Sequence, residues 1–208
     1  THTYAAPGLY SVTLNASNAY GYNLTTFENY IDVGNPPAAG FTTNVTGGNA
    51  PQAVQFTDTT EHTPTSWNWT FGDGSFSEDQ HPVHVYTAAG TYTVTLNASN
   101  AFGFSLNSTT ISVLDPPVAN FSANATVIPT GSAVAFTDDS TGDITGWAWD
   151  FGDGNTSTDR NATHTYTAPG TYSVTLNASN PYGYNISTRT DYIDVGNPPA
   201  AGFSANAT

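Results

Sequence analysis

Tyr92, Val94, Leu96 and Ala98 alternate with Thr93, Thr95, Asn97 and Ser99. A strict period of two marks a strand with one face in a core and the other in water. The same alternation recurs at Tyr10, Val12, Leu14 and Ala16, and at Tyr172, Val174, Leu176 and Ala178. Trp67, Trp69 and Phe71 share one face of a further predicted strand, as do Trp147, Trp149 and Phe151. Val54 with Phe56, and Val134 with Phe136, mark another strand. Phe41, Phe121 and Phe203 mark a first strand, and Ile111 with Val113, and Ile193 with Val195, a last one. Gly-Asp-Gly and Ala-Ala-Gly or Ala-Pro-Gly clusters separate these runs as turns. No stretch carries a helical period.

The pattern repeats along the chain. Residues 1–46 and 163–208 are offset by 162 and identical at 35 of 46 positions. A third copy, HVYTAAGTYTVTLNASNAFGF, starts at His84, and Trp67–Gly74 recurs 80 residues on as Trp147–Gly154. The period is about 81 residues. Seven or so short strands per unit, one carrying tryptophan, predict an all-β fold of tandem Ig-like β-sandwich domains arranged end to end. The expected divisions are the back half of a repeat at 1–35, complete repeats at 36–115 and 116–197, and the first strand of another at 198–208. These partial ends lead to the expectation that the 208 residues are a window on a longer array. Asn-Pro-Pro at 35–37 and 197–199, and Asp-Pro-Pro at 115–117, predict short stiff connectors. A rod advancing roughly 30 Å per unit is expected from strands of about nine residues.

Trp-Asp-Phe-Gly-Asp-Gly at 149–154, followed by His164, Tyr166, Gly170, Tyr172, Val174 and Leu176 at fixed spacing, resembles the signature of PKD (polycystic kidney disease) domains. The resemblance runs through every unit. Thr70 departs from it, standing where Asp150 stands in the later copy. It implies an extracellular PKD-type β-sandwich module, often in tandem. Such modules occur in bacterial and archaeal surface proteins and beside secreted hydrolases. The Thr-, Asn- and Gly-rich, lysine-free composition is similar to archaeal surface proteins.

Charge narrows the partners. Arg160 and Arg189 face sixteen acidic residues, for a net charge of −14. Too few cations are present to neutralise phosphates, so no nucleic acid and no anionic membrane surface is an expected partner. No apolar run approaches the roughly 20 residues that span a bilayer, so no membrane insertion is expected of this segment. No signal peptide opens the sequence. Cysteine and lysine are absent, which excludes disulfides, thiolate metal sites and lysine isopeptide bonds.

Uncharged polarity takes the place of charge, with 35 Thr, 17 Ser and 20 Asn. Thirteen of those asparagines open an Asn-x-Ser/Thr sequon: Asn15, Asn23, Asn44, Asn68, Asn97, Asn107, Asn120, Asn124, Asn155, Asn161, Asn177, Asn185 and Asn206. With Ser and Thr at a quarter of positions, chance predicts roughly five. Asn15, Asn97 and Asn177 fall on the outward side of their strand, and Asn68 alternates out of the tryptophan face. N-linked glycans are therefore the expected modification, against an incidental richness in Asn and Thr.

Other residues invite chemistry but have plainer readings. The tryptophans stack on sugars in some proteins, yet here their shared face predicts core packing, with Trp67 and Trp147 nearer the strand end. His2, His84 and His164, each two residues before a tyrosine, fit a buried hydrogen-bonded histidine beside a tyrosine-corner-like Tyr4, Tyr86 or Tyr166. Asp73 and Asp153 between glycines are expected to bond nearby backbone amides and shape the turn. Ca²⁺ is the alternative, at the Asp138-Asp139-Ser140-Thr141-Gly142-Asp143 stretch, which has no closing glutamate. No other cofactor is expected. No nucleophile elbow, zinc motif or nucleotide loop occurs, so catalytic residues are expected to be none.

Two functions remain. The first is a non-catalytic structural repeat segment of a glycosylated extracellular fibre or cell-surface protein, whose partners are neighbouring copies or continuing repeats. The second is a PKD-type spacer, or a carbohydrate- or protein-binding module, attached to a secreted hydrolase. Near-identical copies on both sides of a central unit favour the first.

Overall fold

The computed structural model describes residues 1–197 with Pro199 and Gly202. The strand expected within 198–208, Phe203 and Asn206 lie outside the described residues. Two compact units are present, one made of Thr1–Gly47 with Pro51–Val113 and the other of Leu114 onward with Gly48–Ala50. Among the described residues every regular element is a strand.

A ribbon comes first, β1 (Gly8–Asn18) with β2 (Gly21–Val33). The first complete repeat follows with β3 (Phe41–Thr43), β4 (Gly47–Asn49), β5 (Gln52–Asp58), β6 (Ser66–Thr70), β7 (Phe76–Ser77), β8 (Val83–Tyr86), β9 (Gly90–Asn100) and β10 (Gly103–Leu114). The second repeats the order with β11 (Phe121–Ala123), β12 (Val127–Pro129), β13 (Ala133–Asp138), β14 (Gly146–Asp150), β15 (Thr156–Ser157), β16 (Ala162–Thr165), β17 (Gly170–Asn180) and β18 (Gly183–Gly196). Each complete repeat is a sandwich. Sheets β3-β5-β8 and β11-β13-β16 have three strands; β4-β10-β9-β6-β7 and β12-β18-β17-β14-β15 have five.

Alternation sets which side chains meet. In the second repeat Val134 and Phe136 of the small sheet face Trp149, Val174, Leu176, Ile193 and Val195 of the large one, all buried. Phe121, Ile128, Phe151, Ala162 and Tyr166 complete that core. The first repeat buries Val54, Phe56, Trp69, Phe71, Tyr86, Val94, Leu96, Ile111 and Val113 in the same way. Trp67 and Trp147 stay half-buried, as their place near the strand end predicts. Trp69 and Trp149 are thus core, while Trp67 and Trp147 stand at its margin.

The ribbon has the same alternation without the burial. Val12 and Leu14 are 37% and 66% exposed, whereas their counterparts Val94 and Leu96 are 0%. Among the described residues no small sheet faces it. Its register slips between Tyr10 and Val12, and that of β17–β18 between Tyr172 and Val174. There Asn29 and Asp191 take φ of 51° and 50° and donate their N–H to Ser11 and Ser173 Oγ, both at 3.0 Å. Asn and Asp are among the few side chains that tolerate this conformation.

Two features lie beyond the alternation pattern. β12 pairs with β18 in parallel, Val127 to Asp194 and Ile128 to Val195, although the other pairings of that sheet are antiparallel. The two-residue strands β7 and β15 extend the large sheets past the Trp strand.

Candidate functional site

The Gly-Asp-Gly turns position the first constellation. Gly72 and Gly152 have φ of 85° and 82°, and a Cβ there would strike the Thr93 and Ser173 backbone oxygens at 2.7 and 2.4 Å, so only glycine fits. The turn then aims a carboxylate at the histidine strand. Asp73 accepts the Ser75 N–H at Oδ1 (2.9 Å) and meets His84 Nε2 at Oδ2 (2.7 Å). Asp153 does the same with Asn155 N–H (3.1 Å) and His164 Nε2 (2.8 Å). Each imidazole stacks on a core ring, His84 on Phe71 at 4.3 Å and His164 on Phe151 at 4.4 Å. Tyr86 and Tyr166 donate their hydroxyls to the Phe71 and Phe151 carbonyls, both at 3.0 Å. These bonds tie turn, histidine and tyrosine together within one repeat, so the arrangement locks the turn.

This matches the turn-shaping role expected of Asp73 and Asp153, and adds the histidine partner that the sequence did not show. It corrects the tyrosine assignment. The hydroxyl bond four residues back, the mark of a tyrosine corner, belongs to Tyr10, Tyr92 and Tyr172, onto Ala6, Ala88 and Ala168 carbonyls at 2.8, 2.8 and 3.0 Å. Tyr86 and Tyr166 reach fifteen residues back instead.

A second carboxylate, Asp138, is 1% exposed in its side chain. It accepts from Ser140 N (3.1 Å), Trp147 Nε1 (2.9 Å) and Arg160 Nε (3.2 Å). Asp58 is its counterpart, accepting from Thr60 N, Trp67 Nε1 and Gln80 Nε2. In the stretch considered for Ca²⁺, Asp138 is filled by these donors and Asp143 Oδ2 accepts the Asp115 N–H at 2.7 Å. Among the described residues no three His, Asp or Glu side chains converge on one point.

Burial alone would raise the Asp58, Asp73, Asp138 and Asp153 carboxyls, but the hydrogen bonds together outweigh it and hold all four below the ordinary aspartate value. Burial, and then the charge of Asp73 or Asp153, pushes the Tyr86 and Tyr166 hydroxyls up, keeping them donors. A depressed carboxylate contributes stability that is complete above its unfolded pKa and is lost as pH falls through the folded one. The melting temperature should therefore stay flat from pH 7 to about 5 and drop below about 4. A thermal scan at half-unit pH steps measures this; a sharp fall between pH 7 and about 5 would contradict it.

The sequons form the second constellation, and it lies on the surface. All described sequon asparagines are exposed except Asn97 and Asn177, which are half-buried. In Asn44, Asn124, Asn161 and Asn185 the Oδ1 accepts a backbone N–H, from Gln55, Ala135, Asp138 and Ala119, each at 2.9 Å. An amide held by its oxygen leaves Nδ2, the atom that carries an N-linked sugar, free. Asn107 donates Nδ2 to the Ala39 carbonyl at 3.0 Å, and Asn155 donates to its neighbour Asp153.

The family model for the PKD domain matches residues 34–114 and again 114–195. The chain belongs to the PKD domain family. Its PKD repeats are 35% identical over 107 residues to human polycystin-1, a match covering 49% of this chain and 2% of that protein. The PKD1 domain of the Vibrio cholerae metalloprotease PrtV is 32% identical, over 37% of this chain and 95% of that one, with a TM-score of 0.34. The titin fragment I67–I69 superposes with a TM-score of 0.62 at 16% identity, covering 89% of this chain and 74% of its own. That likeness is one of fold, and it places the PKD sandwich among Ig-like architectures. Among the described residues no helix is long and apolar enough to cross a membrane.

Proposed function

We propose that these PKD repeats are a non-catalytic structural segment of an extracellular, N-glycosylated fibre or cell-surface protein, with neighbouring copies or continuing repeats as partners. The observation that carries this reading is the placement of the sequons: thirteen occur in 208 residues, and all those described are exposed except the half-buried Asn97 and Asn177. Dense neutral glycans would give water-facing bulk to a chain with few charges and would cover sheet edges that invite foreign strands. The near-identity of 1–46 and 163–208 supports a repeating structural role over a one-off spacer. The Pro-Pro connectors agree, since consecutive prolines stiffen the chain between repeats.

Glycopeptide mapping of protein from its natural source tests the reading. Sugar is expected at most sequons, with Asn44 and Asn124 among them because their amides are already anchored by Oδ1. Bare asparagines throughout would overturn it.

A further inference from the structure

The outer face of the large sheet is mostly polar; besides Phe76 of β7 and Val127 of β12, 73% and 74% exposed and each without an apolar counterpart in the other repeat, one apolar pair recurs. In β10, Phe104 and Leu106 are 65% and 61% exposed; in β18, Tyr184 and Ile186 are 67% and 53%; in β2, Tyr22 and Leu24 are 73% and 53%. Their neighbours on that face are Thr, Ser and Asn, as a solvated sheet face requires. The partners across the strands are constant. Leu106 stands directly opposite Asn97, Ile186 opposite Asn177, and Leu24 opposite Asn15. Phe104, Tyr184 and Tyr22 stand opposite Ser99, Ser179 and Ser17, the third residue of the same three sequons.

Directly opposed side chains have Cβ atoms about 5 Å apart, and the diagonal ones remain within reach of a ring. Each sequon asparagine thus has an aliphatic neighbour at its side and an aromatic one a pleat away. The amide orientation is a separate observation. Asn97 and Asn177 hold Oδ1 buried with no hydrogen-bond partner, which turns Nδ2 outward.

We propose that the exposed aliphatic–aromatic pair opposite Asn15, Asn97 and Asn177 is a seat for the innermost sugars of the glycan on that same asparagine. A hexose has an apolar face of C–H groups. Laid over Leu106 and Phe104 it removes apolar surface from water, which is favourable in proportion to the area covered. The seat holds the base of the glycan flat on the sheet and does not let it swing free. The inference rests on the glycan reading for these three sites and adds where the sugar lies.

The test is radical footprinting of the full chain secreted by a glycosylating host, with occupancy of Asn97 and Asn177 read from the same digest. Phe104, Leu106, Tyr184 and Ile186 should lose labelling several-fold relative to the Asn97→Gln/Asn177→Gln double variant. Val83, 61% exposed on another sheet, should be labelled equally in both. Occupied asparagines with fully labelled side chains would overturn the seat and leave the glycan reading intact. Empty Asn97 and Asn177 would overturn both at these positions.

Discussion

Trp149→Ala should unfold the second repeat under conditions where the unaltered chain is stable. Trp149 is 1% exposed and packs on Phe121 and Phe136 with ring centroids at 5.3 and 5.7 Å. Its indole also donates to the Asp159 carbonyl at 2.8 Å. Truncation removes the largest side chain in the core and leaves that carbonyl without its donor. Trp→Ala changes in cores cost about 3–5 kcal/mol. A domain of this size has roughly 4–12 kcal/mol in total. Guanidinium unfolding followed by near-ultraviolet circular dichroism should show an early transition for half of the chain, and Trp69→Ala should do the same for the first repeat. A midpoint shift worth less than about 1 kcal/mol would mean that the ring is not a core element.

Asp138→Ala should follow, at about 1.5–3 kcal/mol, the range for hydrogen bonds to a charged group. It strips partners from Ser140 N, Trp147 Nε1 and Arg160 Nε at once. Arg160 is 67% exposed and can return to water, so the penalty comes mainly from the amide and the indole. Asp58→Ala should cost about as much, because the Thr60 amide and the Trp67 indole lose the same partner. Asp138→Asn separates charge from shape, since it keeps the volume and loses the anion; it should still destabilise and should flatten the acid limb of the pH profile. An Asn variant as stable as the parent would assign the site to shape alone.

Much of this architecture is written in side-chain order. Strict alternation in Tyr92–Ser99 determined both the strand and its buried face, and Trp69 and Phe71 went where period two puts them. The short strand β4 and the parallel strand β12 escaped, because Gly47-Gly48-Asn49 and Val127-Ile128-Pro129 are too brief to show a period. The His84–Asp73 bond escaped because the partners lie eleven residues apart on different elements. Tyr86 and Tyr92 have similar local surroundings in sequence; only the path of the chain decides which hydroxyl turns back four residues and which crosses to Phe71. The sequons were legible as a series, whereas the apolar neighbours of Asn97 and Asn177 depend on strand register.

The parallel pairing of β12 with β18 has a mechanical consequence. Near one end of the repeat's sequence, β12 is bound through Asp194 N–H to the Thr126 carbonyl and Thr130 N–H to the Gly196 carbonyl, at 2.8 and 2.9 Å. Tension applied at the two ends of the repeat pulls these strands in opposite directions along their length. Antiparallel neighbours loaded at adjacent ends would separate bond by bond, like a zipper. Parallel ones are loaded in shear and must break together. A repeat clasped this way resists extension until a threshold force and then yields abruptly.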